Sequence, residues 1–390
     1  MKNLTFTAKT WISVLVAMLS IASARPALAA ISQADIGKAA FVGAFRDGPI
    51  NTPVQVSSFG EFQSEFGASG SIAWYEIQLY FQNGGQSAWV VRAEIDTDTS
   101  AAMESLRSVA DSFGQLVIPG LSFLSDPERT QAVDRALSFA QELQLFLILD
   151  PLPEWNDDFT SQHPERIRFP GLDSMGEKTQ YGAVYFPSLI VWDGDRALKV
   201  GPAGAVAGII ATADSEVGPW KAPAGPSFPL QGINGIQLSV SDEQNGILRA
   251  HGVNGIRSLL SQGVLVYGAS TLMTGTSSPD PGLRFIHTIR EKEMIRKSIE
   301  TGLSWTAFEE NDARLWAAIR SDVSTFMNSL WAQGGLFGDT SSSAYQVMCD
   351  SVTTSIQDIM EGKVRLIVNW APERPAEFIS TELTLNARVP

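Results

Sequence analysis

The sequence predicts an α/β fold (α+β overall) divided between two domains. Short apolar runs of strand length alternate with amphipathic helical stretches over the first half of the chain, which is typical of an open α/β layer. The second half contains the longest helical stretch, followed by two strands that close the sequence. At 390 residues, 44% of them hydrophobic and 18% charged, the chain is long enough for two domain cores and lacks the composition of a disordered protein.

Strands and helices alternate in the first half of the chain. The runs AAFVGAF after Lys38 and SAWVVRAEI after Gln86 have the length of buried strands, and the helical stretch SIAWYEIQLYFQ lies between them. Further along, QLVIPGL and LFLILDPLP flank a helix that begins at Asp126, with Pro127 at its first position. This order predicts parallel strands connected by helices.

Asp150 stands at the carboxyl end of the strand LFLILD, the edge at which open α/β sheets bind ligands. Two roles fit this position. In one, Asp150 acts with Asp157 or Asp158 as a carboxylate of a hydrolytic enzyme. In the other, it shapes the turn before Pro151. The chain has no phosphate-cradling glycine loop and no second carboxylate in a matching context, so the sequence favours the turn.

The composition argues against several classes of site. A formal net charge of −14 disfavours nonspecific binding to nucleic acid. Cys349 is the only cysteine, which excludes an internal disulfide and a thiolate-only zinc site. His163, His251 and His287 lie far apart and lack the spacing of metal ligands. We therefore expect no catalytic residue, no cofactor and no bound metal.

The N-terminal 30 residues have the pattern of a secretory signal peptide. Lys2 and Lys9 precede the apolar run WISVLVAMLSIASA, and Ala-Leu-Ala at 27–29 has the small residues of a cleavage site. The apolar run is short for a membrane span. We expect residues 1–30 to direct export; the alternatives are a buried N-terminal helix or a start codon upstream of the true one.

Two features mark the middle of the chain. Small residues fill Ala203–Ala213, and the spacing of Gly204 and Gly208 permits close approach of another backbone. The following segment, Gly218–Pro229, holds four prolines and is predicted to be stiff and largely extended. Such a segment joins two domains, closes a pocket or provides a docking surface.

One long helix and a final strand dominate the predicted carboxyl-terminal half. Asn311 or Asp312 caps the helix, and Gly334 and Gly335 end it. The side chains that form its core stripe are Leu315, Trp316, Ile319, Val323, Phe326 and Leu330. The final strand alternates apolar and polar residues, so we expect it to pair with another subunit. The residues of this predicted intersubunit strand are Glu382, Leu383, Thr384, Leu385 and Asn386.

Several stretches in fixed order resemble the sheath protein of contractile phage tails and of related contractile injection systems. They are AAFVGAFRDGPINTPVQVSSFGEFQSEFG, YFQNGGQSAWVVRA, DSEVGPWKAPAG, NGIRSLLSQGVLVYGAST, the long run from RFIHTIREKEMIRKSIETG to AQGGLFG, AYQVMCD and APERPAEFI. The resemblance covers most of residues 39–379 and is weakest over residues 155–180.

The resemblance implies a non-enzymatic structural subunit that polymerises as helical rings around an inner tube. It implies an outer α/β domain at residues 31–230 and an assembly domain at residues 231–390, with residues 1–30 as a signal peptide or an atypical N-terminal arm. In this family, extended terminal arms add strands to sheets of neighbouring subunits. The implied partners are further copies of the chain, the inner tail tube protein, and baseplate and terminator proteins, with no nucleic acid and no small-molecule substrate.

The chain departs from the family pattern in three places. Ser270 stands where members usually carry an arginine, and Glu291 stands where a basic residue usually follows Arg290. Removal of residues 1–30 would leave only ISQADIGK ahead of the first strand as an arm. The signal-like start indicates export to the periplasm or beyond, whereas the resemblance indicates cytoplasmic assembly. The alternative function is therefore an exported, non-contractile, sheath-derived binding or structural protein.

Overall fold

The computed structural model describes residues 30–389 except 69, 95–97, 274–280 and 374–378. The predicted signal segment, apart from Ala30, lies outside the described residues. Within the described part of the chain, no helix has the length and apolar character needed to cross a membrane.

Three sheets contain the strands of the described residues. The strands are β1 (Ala39–Gly43), β2 (Val54–Val56), β3 (Ala88–Arg92), β4 (Gln115–Val117), β5 (Phe146–Leu149), β6 (Gly182–Phe186), β7 (Leu189–Asp193), β8 (Arg196–Val200), β9 (Gly235–Ile236), β10 (Val253–Leu259), β11 (Gly263–Val266), β12 (Tyr345–Met348), β13 (Lys363–Trp370) and β14 (Ile379–Asn386). The main sheet has eight strands in the order β11-β10-β6-β5-β4-β1-β3-β2, and the smaller sheets are β12-β13-β14 and β8-β7-β9.

Helices of very different length connect and cover these sheets. They are α1 (Phe59–Phe66), α2 (Ile72–Gln82), α3 (Ser100–Ser105), α4 (Glu128–Leu143), α5 (Trp155–Thr160), α6 (Leu172–Met175), α7 (Ala203–Glu216), α8 (Asp242–Ala250), α9 (Ile286–Gly302), α10 (Ala313–Ala332), α11 (Ser341–Ala344) and α12 (Ile356–Met360). The longest is α10, as the sequence predicted.

The centre of the main sheet is parallel. Strands β4, β5 and β6 pair in parallel with one another, and every residue of these three strands is buried. Continuous burial is the mark of a parallel sheet covered on both faces, which explains why these segments are apolar throughout. Helix α4 connects β4 to β5, so the βαβ unit predicted from the sequence is confirmed.

Helices α2 and α7 cross with their backbones in close approach, because glycines occupy the crossing. A Cβ atom at Gly204 would lie 2.1 Å from the carbonyl oxygen of Glu76, and one at Gly208 would lie 2.5 Å from that of Tyr80. The close approach predicted from the Gly204 and Gly208 spacing is therefore confirmed. It brings the first turn of α7 directly onto the middle of α2.

The chain has two hydrophobic cores, and α9 contributes to both. The first core surrounds the main sheet and includes Ile286 and Ile289. The second packs α9 and α10 against the β12-β13-β14 sheet, and α9 supplies Met294, Ile295 and Ile299 to it. The mixed α/β architecture with two cores agrees with the predicted fold class.

The division between the cores does not coincide with the predicted domain boundary at residue 230. Strand β10 lies beyond that boundary but pairs in parallel with β6, and β11 extends the same sheet. Conversely, Ile31 and Ile36 precede the main sheet but belong to the second core. The short, glycine-punctuated strands after residue 230 are β10 and β11, at the edge of the main sheet. They belong to the first core and do not begin the second core. The outer and assembly domains at 31–230 and 231–390 stay a prediction.

The proline-rich segment Gly218–Pro229 connects the two cores. Trp220 is buried in the second core, whereas Phe228 is buried in the first. Between them the chain runs beside β11, with the Gly225 amide donating to the Val266 carbonyl at 2.9 Å. The segment leaves the first core after α7, contributes Trp220 to the second core and returns to the first core at Phe228; its role in joining two domains stays a prediction.

We predict that Gly204→Ala destabilises the protein by about 1–3 kcal/mol, since the added methyl group must push two helix backbones apart. The matched control is Gly246→Ala, in the interior of α8, where an added Cβ meets nothing within 4 Å. That change is expected to be neutral or stabilising by about 0.4–1 kcal/mol. Thermal and urea unfolding measure both; equal effects of the two substitutions would contradict the close crossing.

Candidate assembly surface

Helix α10 supplies the centre of the second core. The Asp312 carboxylate caps it by accepting hydrogen bonds from the amides of Arg314 and Leu315, while Asn311 instead accepts from the indole of Trp316 at 2.9 Å. Every residue of the predicted core stripe is buried: Leu315, Trp316, Ile319, Val323, Phe326 and Leu330. Met327 is a further buried residue that the sequence stripe omitted, although it lies four positions after Val323.

Strand β14 pairs along one edge within its own chain, and its pairing with another subunit stays a prediction. All eight of its residues pair antiparallel with β13, from Ile379 opposite Trp370 to Asn386 opposite Lys363. Leu383 and Leu385 point into the second core, and the residues between and beside them are exposed. The apolar face of the strand needs burial, and the adjacent strand of the same chain supplies the partner. Only the outer edge of β14 is left for another subunit.

The backbone groups that face this outer edge follow from the strand register. Residues directly opposite each other in an antiparallel pair alternate between exchanging two hydrogen bonds and exchanging none. The Ala387 amide donates to the Gly362 carbonyl at 2.7 Å, so this pair is a bonded one. Counting back by twos from Ala387, every second residue of β14 is bonded to β13. The residues between them point their amides and carbonyls outward: Asn386, Thr384, Glu382 and Ser380. The Asn386 carbonyl accordingly accepts from the Thr306 hydroxyl on that outer side.

The outer edge of β14 is open over residues 380–384. Among the described residues, no backbone group outside the sheet bonds to this stretch. Strand β12 covers only the second half of the other edge of β13, and side chains cover Arg365 on that edge. The Arg365 amide donates to the Thr354 hydroxyl and the Arg365 carbonyl accepts from the Thr353 hydroxyl, both at 3.0 Å. The part of β13 that β12 does not reach is thus covered by threonines, whereas β14 presents an unpaired edge.

The segment ISQADIGK does not form a free arm. Ile31 and Ile36 are buried in the second core, and the Ala34 amide donates to the Ser298 hydroxyl of α9 at 2.8 Å. We call residues 31–38 the strap. Because the strap is packed along its own α9, it has no length to spare for pairing with a neighbouring subunit.

Ser270 and Glu291, the two residues that depart from the family pattern, have different surroundings. Ser270 is held by its backbone, which exchanges two hydrogen bonds with the Asn254 amide group. Glu291 is fully buried, and neither carboxylate oxygen has a hydrogen-bond partner. Burial, and to a smaller degree Glu373, raises the pKa of Glu291 well above its usual range. A buried Glu291 makes no direct contact with a second subunit while the chain is folded in this way.

Asp150 caps a helix, whereas the sequence favoured a role in the turn before Pro151. Its Oδ1 accepts a hydrogen bond from the Ala203 amide, at the start of α7, at 3.0 Å. Beside it lies Glu76 of α2, fully buried, which no sequence signal singled out. Burial, and next the Asp150 carboxyl, raises the pKa of Glu76 well above normal, and burial also raises the pKa of Asp150. Both shifts favour the neutral form of these carboxyls.

The other candidate residues show no catalytic or metal-binding arrangement. Asp157 lies near Asp150 at a surface cavity, but Asp158 pairs with Arg166 at 3.7 Å. Burial raises the pKa of the Cys349 thiol to about 12, so it is not a reactive thiolate. Within the part of the chain that the structure describes, no group of three His, Cys, Asp or Glu side chains is placed to hold a metal ion.

We predict that Val323→Asp destabilises the second core by more than about 3 kcal/mol, because it buries an unpaired carboxylate. Ala317→Asp places the same side chain on the exposed face of α10 and is expected to change stability by less than about 0.5 kcal/mol. Circular dichroism and urea unfolding of both variants test this. A Val323→Asp protein as stable as Ala317→Asp would rule out the packing described for α10.

We predict that the free energy of unfolding falls as pH rises from about 4 toward the raised pKa of Glu76. Carboxyls in the unfolded chain lose their protons near pH 4, whereas the buried pair keeps a proton until its raised pKa is reached, so the folded state binds more protons over that range. Glu76→Gln should reduce this slope without abolishing it, since Glu291 titrates in the same direction. The exposed Glu243→Gln is the control. Urea unfolding at several pH values gives the slopes; identical slopes for Glu76→Gln and wild type would contradict the assignment.

The carboxyl-terminal part of the chain matches a known family. The family model described as the phage tail sheath C-terminal domain matches residues 278–385, which contain α9, α10 and most of the β12-β13-β14 sheet. The tail sheath protein of Vibrio phage KVP40 is 23% identical over 212 residues. That match covers 54% of this chain and 30% of the phage protein, so the chain spans under a third of that relative's length.

Solved structures with the same fold cover nearly the whole chain. The helical sheath of the anti-feeding prophage in its contracted state is 25% identical with a TM-score of 0.73, covering 90% of this chain and 94% of that one. A chain in the baseplate of the same particle is 25% identical with a TM-score of 0.71, over 91% and 96% of the two chains. The contracted PVC sheath complex of an extracellular contractile injection system shares the fold at 22% identity, with a TM-score of 0.68 over 90% and 92%. The chain thus has the fold of contractile tail sheath proteins, and residues 278–385 match the C-terminal domain of phage tail sheaths.

Proposed function

We propose that this protein is a structural, non-enzymatic subunit of a contractile tail-like sheath, which polymerises as helical rings around an inner tube. The observation that carries the proposal is the open outer edge of β14, on a strand whose other edge and inner face are fully engaged in its own subunit. The contracted helical sheath and the baseplate chain of the anti-feeding prophage support the same role.

Addition of a strand from another subunit is the interaction that fits this edge. Ser380, Glu382 and Thr384 present unpaired amides and carbonyls, which an incoming strand of almost any sequence can bind through its main chain. Main-chain bonding of this kind tethers subunits while their domain surfaces change packing. The proposed partners are other copies of the chain, the inner tube protein, and baseplate and terminator proteins. Leu315, Trp316, Ile319, Val323, Phe326 and Leu330 form the core helix of the proposed assembly domain.

The position of the strap separates this function from the exported alternative. With residues 31–38 packed on α9, a donated N-terminal strand has to come from residues ahead of Ala30. A sheath subunit of this design therefore keeps those residues. The exported, non-contractile alternative removes them as a signal peptide and retains no N-terminal donor strand.

Blocking the outer edge of β14 tests the proposal. Glu382 is exposed and its amide points outward, so Glu382→Pro removes one outward donor and crowds an incoming strand without breaking a bond to β13. We expect a folded subunit, with an unfolding temperature within a few degrees of wild type, that no longer forms tubes or rings in electron micrographs.

Glu382→Thr is the matched control, since it keeps the amide and is favourable in a strand. It should polymerise as wild type does. If Glu382→Pro is folded and forms polymers of normal yield and diameter, the open edge is not the assembly site.

A further inference from the structure

A cavity lined in part by polar side chains lies at the carboxyl ends of the parallel strands β4, β5 and β6. Its volume is about 250 Å³, and its lining includes Ser122 after β4, Asp150 after β5 and Ser188 after β6. The crevice outside the carboxyl ends of parallel strands is where open α/β sheets bind ligands. The cavity lies beside the main sheet of the first core, and no residue of β14 lines it.

Buried acceptors line this cavity without hydrogen-bond partners. Ser122 is 4% exposed, and its hydroxyl oxygen has no partner. The side-chain carbonyls of Asn156 and Gln237 are likewise buried and unpaired. The amide orientation of Asn156 is fixed, because its Nδ2 donates to the Pro153 carbonyl at 2.9 Å and its Oδ1 is therefore left over. Buried polar atoms in folded proteins are seldom left unpaired, so these three point to a bound group that donates hydrogen bonds.

The charges around the cavity favour a cation. The exposed carboxylate of Asp157 and the buried carboxyl of Asp150 both line the cavity. Lys199 is the cationic side chain among the lining residues that the structure describes. The described lining thus holds two carboxyls, those of Asp150 and Asp157, and one ammonium, that of Lys199.

A second cavity adjoins the first. Phe123 lines both and is 58% exposed. The second cavity has a volume of about 380 Å³ and includes Ile72, Pro119 and Leu124. A planar guanidinium stacks on an aromatic ring and carries five N–H donors, whereas its aliphatic stem suits an apolar wall.

We propose that these two cavities together bind a guanidinium group carried on an aliphatic stem. The donors of the guanidinium satisfy Ser122, Asn156 and Gln237, its charge pairs with Asp157, and the stem lies against Phe123. Such a group comes either from a free small molecule or from an arginine side chain of another protein copy. This site does not depend on the proposed sheath function.

The test measures binding of n-butylguanidinium to the full-length protein by calorimetry, with n-butylurea as a neutral probe of the same shape. We expect saturable one-to-one binding of butylguanidinium and at least tenfold weaker binding of butylurea. Asp157→Asn should weaken butylguanidinium binding roughly three- to fivefold, as expected for a partly exposed ion pair. Asp173→Asn, whose side chain is 88% exposed and lies outside both cavities, should have no effect.

Equal binding of the two probes, absence of saturable butylguanidinium binding, or an Asp157→Asn protein that binds as wild type does would each overturn the proposal. The source of the group is found by adding butylguanidinium during polymer assembly. Inhibition of assembly in wild type, but weaker inhibition in Asp157→Asn, identifies an arginine of another copy. Unchanged assembly together with calorimetric binding identifies a free small molecule.

Discussion

A single buried ion pair connects the parts of this protein on which its architecture depends. The Arg290 side chain is 1% exposed and binds both carboxylate oxygens of Asp214, at 2.6 and 2.5 Å. It also donates to the Ile36 carbonyl of the strap at 3.3 Å. The pair therefore joins α7 of the first core, α9 between the cores and the chain ahead of β1. Loss of either partner would leave a buried charge unpaired, at a cost of about 3–5 kcal/mol.

The same connection determines which parts of the chain are available to other molecules. Held by Arg290 and by Ser298, the strap lies along α9. In the β12-β13-β14 sheet, Thr353 and Thr354 cover the part of β13 that β12 does not reach, and the outer edge of β14 stays open. The fold thus leaves an open strand edge in each subunit and keeps the strap from occupying it.

Local periodicity predicted the parts of the structure that depend on local chemistry. The apolar stripe of α10, the parallel β4–α4–β5 unit and the close crossing at Gly204 follow from spacing alone, because each reflects burial of one face or one contact. Contacts between segments that lie far apart in the sequence were harder to predict from the sequence. Nothing in the sequence of β14 tells whether its partner is β13 or another subunit, and nothing in α2 marks Glu76 as the neighbour of Asp150. Both depend on contacts that only the folded chain creates.

The packing of β14 limits how a contracting sheath could use it. Leu383 and Leu385 are part of the second core, so the strand cannot leave its sheet without exposing that core to water. A tether that survives contraction therefore has to be added to the outer edge at Ser380, Glu382 and Thr384, where bonding costs the subunit none of its own contacts. On the proposed function, subunits move relative to one another at other surfaces, while the core of α10, β13 and β14 moves as one rigid body with the strand bound to it.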